Sequence, residues 1–131
     1  MDNFWTYLWI AVGSALGGMG RFWLSGLIAQ RVGELFPWGT LIVNVTGSLA
    51  IGLFIALTGS DGRFLVGPRF SQFFVVGICG GYTTFSSFSL QTLKLAQAGE
   101  WWHAGGNVAS SVVLCLLAVW LGHLLGQVIN R

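Results

Sequence analysis

Apolar residues run along this chain in four long stretches, at about residues 4–29, 38–57, 70–96 and 101–129, each interrupted by isolated polar positions. A helix needs roughly 20 mainly apolar residues to cross a bilayer core, so the pattern predicts four transmembrane helices. The connectors are short: 30–37 holds Arg31 and Glu34, 58–69 holds Asp61, Arg63 and Arg69, and the last holds Lys94, Glu100 and nearby residues. None can hold a catalytic domain, so 1–131 reads as a single four-span transmembrane domain. An even number of spans puts both termini on one side.

Composition strengthens this picture. Of 131 residues 54% are hydrophobic and 8% charged, where soluble domains carry about 25% charged residues. Mean hydropathy is +0.75. The first stretch does not read as a cleaved leader, because Asp2 replaces a basic start and apolar character continues past any cleavage point. Trp5, Trp9, Trp38, Trp101 and Trp102 fall near span ends, where amphipathic rings favour the lipid headgroups. Membrane lipid is thus an expected partner. The net charge of +2 comes from scattered basic residues, which excludes a nucleic-acid surface.

Charge also bears on orientation. Basic residues favour the cytoplasmic side, yet Arg63, Arg69 and Arg131 on one side face Arg31 and Lys94 on the other. Two readings stay open: a weakly oriented protein, or dual topology with subunits inserted both ways as an antiparallel two-fold dimer.

Polar residues inside the spans are the candidate chemistry. Arg21 lies within span one after Gly13, Gly17 and Gly20, and a buried cation there costs about 2.5–3.5 kcal/mol on insertion scales. Its guanidinium either donates to freed carbonyls or draws anions toward a vestibule. Span two sets Thr40, Asn44 and Ser48 four residues apart, on one helix face. The Asn44 amide can hold an anion without a charge, or make an interhelical hydrogen bond. Span four repeats the stripe with Asn107, Ser111 and Cys115. In span three, Gly77, Gly80 and Gly81 precede Tyr82, Thr83 and Thr84, which predicts a helix break at membrane depth.

Phe85 and Phe88 share a face three residues apart. They are packing residues, or they present positive ring edges to an anion. No Asp or Glu lies deep in a span, which argues against proton-coupled transport. His103 and His123 sit at opposite ends of span four, and no nucleophile, base and acid fall together, so the sequence does not read as an enzyme. Cys79 and Cys115 lie in apolar stretches and read as small buried hydrophobes.

Three segments together, G-T-L-I-V-N at 39–44, G-I-C-G-G-Y-T-T-F-S-S-F-S at 77–89 and G-G-M-G-R ending at Arg21, resemble the CrcB/Fluc fluoride channels. The resemblance covers all four spans. It implies an all-α membrane protein, four transmembrane helices with a break in the third, assembled as an antiparallel dual-topology homodimer in the bacterial inner membrane. It implies two pores that let toxic cytoplasmic fluoride out, fluoride having entered as the neutral acid. By carry-over, Phe85 and Phe88 line the pores, Asn44 is the pore asparagine, and Thr40, Asn107 and Ser111 lie on a polar track with Cys115. Arg21 matches the span-one arginine, with a vestibule or structural role. Main-chain carbonyls of Gly80 and Thr83 match those that hold a structural sodium ion. Some relatives carry a tyrosine in place of Asn107, and many carry a glutamate where this chain has Gln91.

The rival from another class is a small dual-topology multidrug-type exporter, which needs a membrane carboxylate this chain lacks. A third is a scaffold that uses its glycine faces for helix packing.

Overall fold

A computed structural model describes residues 2–131. Helix α1 spans Asp2–Val32, α2 Trp38–Thr58 and α6 Trp101–Asn130, and the described residues contain no strand. Between α2 and α6 the third span is composite: α3 (Pro68–Gln72), a π-helical stretch (Phe73–Cys79), α4 (Gly80–Tyr82) and α5 (Phe85–Gln97).

Segments 38–58, 68–97 and 101–130 are long and apolar enough to cross a membrane. Helix α1 has the length, 31 residues, but its glycines, tryptophans and Arg21 lower its hydropathy. It packs along the third span as the fourth long helix.

The helices alternate in direction. The Phe36 and His103 rings lie 6.2 Å apart, which brings the α1–α2 and α5–α6 connectors to one end. At the other end the Arg63 guanidinium donates to the Ile129 carbonyl (3.2 Å), and Asn130 Nδ2 donates to the Ala56 carbonyl (2.7 Å). Gly33 (φ 83°) and Gly99 (φ 77°) turn the chain out of α1 and α5, a conformation open to glycine without strain.

The protein is inside-out relative to a water-soluble domain. Large apolar side chains face outward, Trp102 to 94%, while the buried apolar residues are few and mostly small: Leu41, Val43, Ala56, Cys79, Ala104 and Ala118. Helices surrounded by lipid gain little from burying oil and associate through close backbone approach at small residues. A Cβ on Gly77 would stand 3.0 Å from the Gly13 Cα, so α1 meets the third span backbone to backbone. Likewise a Cβ on Gly122 of α6 would stand 2.9 Å from the Leu53 amide nitrogen of α2.

The third-span break lies one step beyond the glycines expected to make it. Gly80 is helical (φ −65°, ψ −36°), whereas Thr83 (−81°, 156°) and Thr84 (−151°, 116°) are extended. The glycines instead admit α1: a Cβ on Gly81 would meet the Ser14 Cα at 2.9 Å. The break is a side-chain insertion, one of the recognised causes of an interrupted helix.

Candidate functional site

Asn44 of α2 is the inserted group. Its Nδ2 donates to the Thr84 carbonyl at 3.0 Å, and its Oδ1 accepts the Thr84 N–H at 2.7 Å. The pairing fixes the orientation of the amide and satisfies both peptide groups of one extended residue. A second lock holds the start of α5, where the Ser87 N–H donates to Thr84 Oγ1 at 3.2 Å as a helix cap.

Arg21 reaches the same region from α1. Its Nε donates to the Gly81 carbonyl at 3.2 Å, just upstream of the break. The guanidinium therefore has the carbonyl partner that one sequence reading required, and it also lines a cavity, as the other required. Among the described residues no side chain donates to the carbonyls of Gly80 or Thr83, while their neighbours Gly81 and Thr84 are taken.

Two cavities meet at Thr84. The first, a vestibule of about 520 Å³, is walled by Arg21, Glu34, Thr40, Ser87, Gln91 and Lys94 among others. The second, a groove of about 470 Å³, is walled by Asn44, Ser48, Phe85, Phe88, Ser111 and Cys115, with Gly80 and Thr83 at its side. Thr84 lines both, and no charged residue lines the groove.

Helix α5 is two-faced across this junction. Thr84, Ser87, Gln91 and Lys94, spaced three, four and three, all line the vestibule. Phe85 and Phe88 line the groove, their ring centroids 5.4 Å apart and their planes at 50°. Phe85 is 78% exposed, so its ring faces out of the single chain.

The hydroxyls divide by what they already bond. Ser48 Oγ donates to the Asn44 carbonyl (2.7 Å), Thr83 Oγ1 to the Cys79 carbonyl (2.9 Å) and Thr92 Oγ1 to the Phe88 carbonyl (2.8 Å). No hydrogen bond within the described residues occupies the hydroxyls of Thr40 or Ser87, and both face the vestibule. The second N–H of Asn44 is likewise unspent, and the residue lines the groove. Gln91 Oε1 is buried without a protein donor. An unpaired buried acceptor costs about 1–3 kcal/mol, and the vestibule has room for the water that would meet it.

The expected residues are not all brought together. Asn107, 2% exposed, donates to Thr92 Oγ1 at 2.9 Å and lines neither cavity. Ser111 and Cys115 of the same stripe do line the groove. Thr40 parts from Asn44 and Ser48, since it opens onto the vestibule. Sequence reasoning named Thr84 only as part of the break and passed over Ser87 and Lys94 as vestibule-lining positions. Their spacing along α5 carried the signal.

Few large buried side chains, an inserted amide at membrane depth and a charged vestibule beside an uncharged aromatic groove define a multi-pass membrane protein with two cavities that meet inside its third span. The chain belongs to the CrcB family: the profile described as "CrcB-like protein, Camphor Resistance (CrcB)" matches residues 8–123. It is 61% identical over 126 residues to the fluoride-specific ion channel FluC of Paramagnetospirillum magneticum, covering 96% of this chain and 98% of that one. It is 59% identical over 125 residues to FluC of Methylocella silvestris, covering 95% of each, and 60% identical over 124 residues to FluC of Opitutus terrae, covering 95% and 94%. The family is one of channels, not of enzymes.

Proposed function

We propose that this chain is a passive, fluoride-selective ion channel that lets cytoplasmic fluoride out of a bacterium across its inner membrane. Family membership supports the ion. The observation that carries the route is the Asn44–Thr84 junction, with the vestibule on one side and the Phe85/Phe88 groove on the other.

Moving a carboxylate-sized anion from water into a medium of low dielectric costs of order 20 kcal/mol by the Born estimate, and smaller fluoride costs more. The path must replace water with donors. The unspent hydroxyls of Thr40 and Ser87 face the ion first, and the second Asn44 N–H follows. The ring edges of Phe85 and Phe88 then carry partial positive charge without a fixed cation. Donors that hold without trapping suit conduction, which needs binding weak enough to release. Ser111 lies on the same wall of the groove as Cys115, and Asn107 acts from behind by holding Thr92 and so the register of α5.

The working unit in this reading is an antiparallel homodimer with two pores, supported by the near balance of basic residues at the two ends and by the outward-facing Phe85. The Gly80 and Thr83 carbonyls are hard oxygen donors free of side-chain partners, so they fit a sodium ion. One chain offers two such oxygens, and a two-fold copy would double them. Bound there, the ion supplies fixed positive charge that draws the two broken spans together.

Growth tests the cellular role. Expression in a bacterium stripped of its own fluoride efflux should restore growth in millimolar fluoride at mildly acidic pH. Failure to restore growth with the protein present in the inner membrane would remove the proposal.

A further inference from the structure

Three formal charges line the vestibule: Arg21, Lys94 and Glu34. Arg21 is fastened to the Gly81 carbonyl near the break. Lys94 closes the Thr84–Ser87–Gln91–Lys94 stripe ten residues further along α5, about 15 Å from Thr84 at the helical rise. Glu34 follows Gly33, whose positive φ ends α1, and so lines the vestibule from the α1–α2 connector.

These charges are not spent on one another. Within the described residues the only ion pair within 4 Å joins Glu100 and His103. Nor does the end of α5 need the Lys94 ammonium as a cap. The Ala98 N–H donates to the Lys94 carbonyl (3.0 Å), the Gly99 N–H to Ala96 (3.0 Å) and the Glu100 N–H to Leu95 (2.8 Å). The glycine-closed end satisfies those carbonyls with backbone alone.

The setting amplifies an unpaired charge. Phe22, Ala29, Leu35, Phe36 and Leu95 give the vestibule apolar walls, and a cleft with such walls focuses the field of its charges into the aqueous space. An anion approaching from the membrane surface meets Lys94 and Glu34 before it reaches Arg21 and the unspent hydroxyls.

We propose that Lys94 and Glu34 set the anion-concentrating field at the vestibule mouth, Lys94 raising the local fluoride concentration and Glu34 opposing it. The inference rests on the fluoride-conduction reading. Neither residue touches the conducting groove, so both act on access to the pore and leave its intrinsic turnover alone.

Single-channel fluoride currents from the purified full chain in planar bilayers test this, at about 10 mM and about 1 M ionic strength set with potassium gluconate. The Debye length falls from about 30 Å to about 3 Å between these conditions, so an access field is felt in the first and screened in the second. At low salt and subsaturating fluoride, Lys94→Gln should lower current about 1.5- to twofold, and Glu34→Gln should raise it by a similar factor, as expected for one unit charge about 10 Å away in a water-like medium. Lys94→Arg should match wild type. All four proteins should converge at high salt and at saturating fluoride, which also shows that the variants are folded. A Lys94→Gln current equal to wild type at low salt overturns the proposal, and so does a deficit that persists at high salt. Absence of fluoride current from the wild-type protein would instead overturn the conduction reading itself.

Discussion

Asn44 and Thr84 lie forty residues apart and share two hydrogen bonds, 3.0 and 2.7 Å long, that complete both peptide groups of an extended residue inside a helical span. In hydrocarbon an unpaired peptide group costs several kcal/mol, so irregular backbone persists there only where protein or a wet cavity satisfies it. One amide does so here and keeps one N–H unspent. The same residue therefore builds the junction and lines the groove beside it.

Asn44→Leu should fail on both counts. It leaves the Thr84 N–H and carbonyl unpaired, at about 1–3 kcal/mol each, so thermal unfolding in detergent should shift down and fluoride efflux from liposomes should fall at least tenfold. Asn44→Asp keeps the acceptor and loses the donor. It should unfold closer to wild type yet conduct as poorly as Asn44→Leu, because it places a negative charge in the groove.

Phe85→Ile and Phe88→Ile should each abolish fluoride efflux while leaving the assembled protein unchanged in size-exclusion chromatography. Branched aliphatic side chains fill comparable space without an electropositive edge. Wild-type efflux from either variant would remove the ring edges from the route.

Gly122→Leu should prevent folding with no direct effect on the pathway. A side chain there drives into the Leu49 and Leu53 backbone of α2 and parts the α2–α6 contact. Overpacking costs about 1–3 kcal/mol or more, and yield of detergent-soluble protein is the readout.

A sodium ion held by the Gly80 and Thr83 carbonyls is a structural part in this account. An imposed sodium gradient should therefore leave fluoride flux at its passive value. Uphill fluoride movement driven by sodium would contradict it.

Hydropathy made α2 and α6 legible, because each is a long, mainly apolar run bounded by a turn residue: Gly59 after Thr58, and Glu100 before Trp101. The break was legible in the segment that runs from the glycines into Tyr82, Thr83 and Thr84, but its cause was not. Glycine signals backbone freedom and close approach alike, and here Gly77 and Gly81 serve approach to α1. What holds the break at Thr83 and Thr84 is the reach of Asn44 across forty residues, which no local pattern encodes. The same holds for Arg63, whose ties to Ile129 and Asn130 span 66 and 67 residues. Arg21 was ambiguous in sequence because a cation suits a carbonyl and an anion equally well. The structure gives it the Gly81 carbonyl and a place on the vestibule wall together.

In the proposed reading fluoride passes from the vestibule through the Thr84 junction into an uncharged groove, without coupling to another ion. The most direct measurement is efflux from liposomes that hold purified protein and equal fluoride and chloride, followed with ion-selective electrodes after valinomycin addition, with no sodium or proton gradient. The account predicts rapid fluoride release with chloride retained, and loss of that release in Phe88→Ile. Retention of fluoride by wild-type vesicles, or release of both ions together, would contradict it.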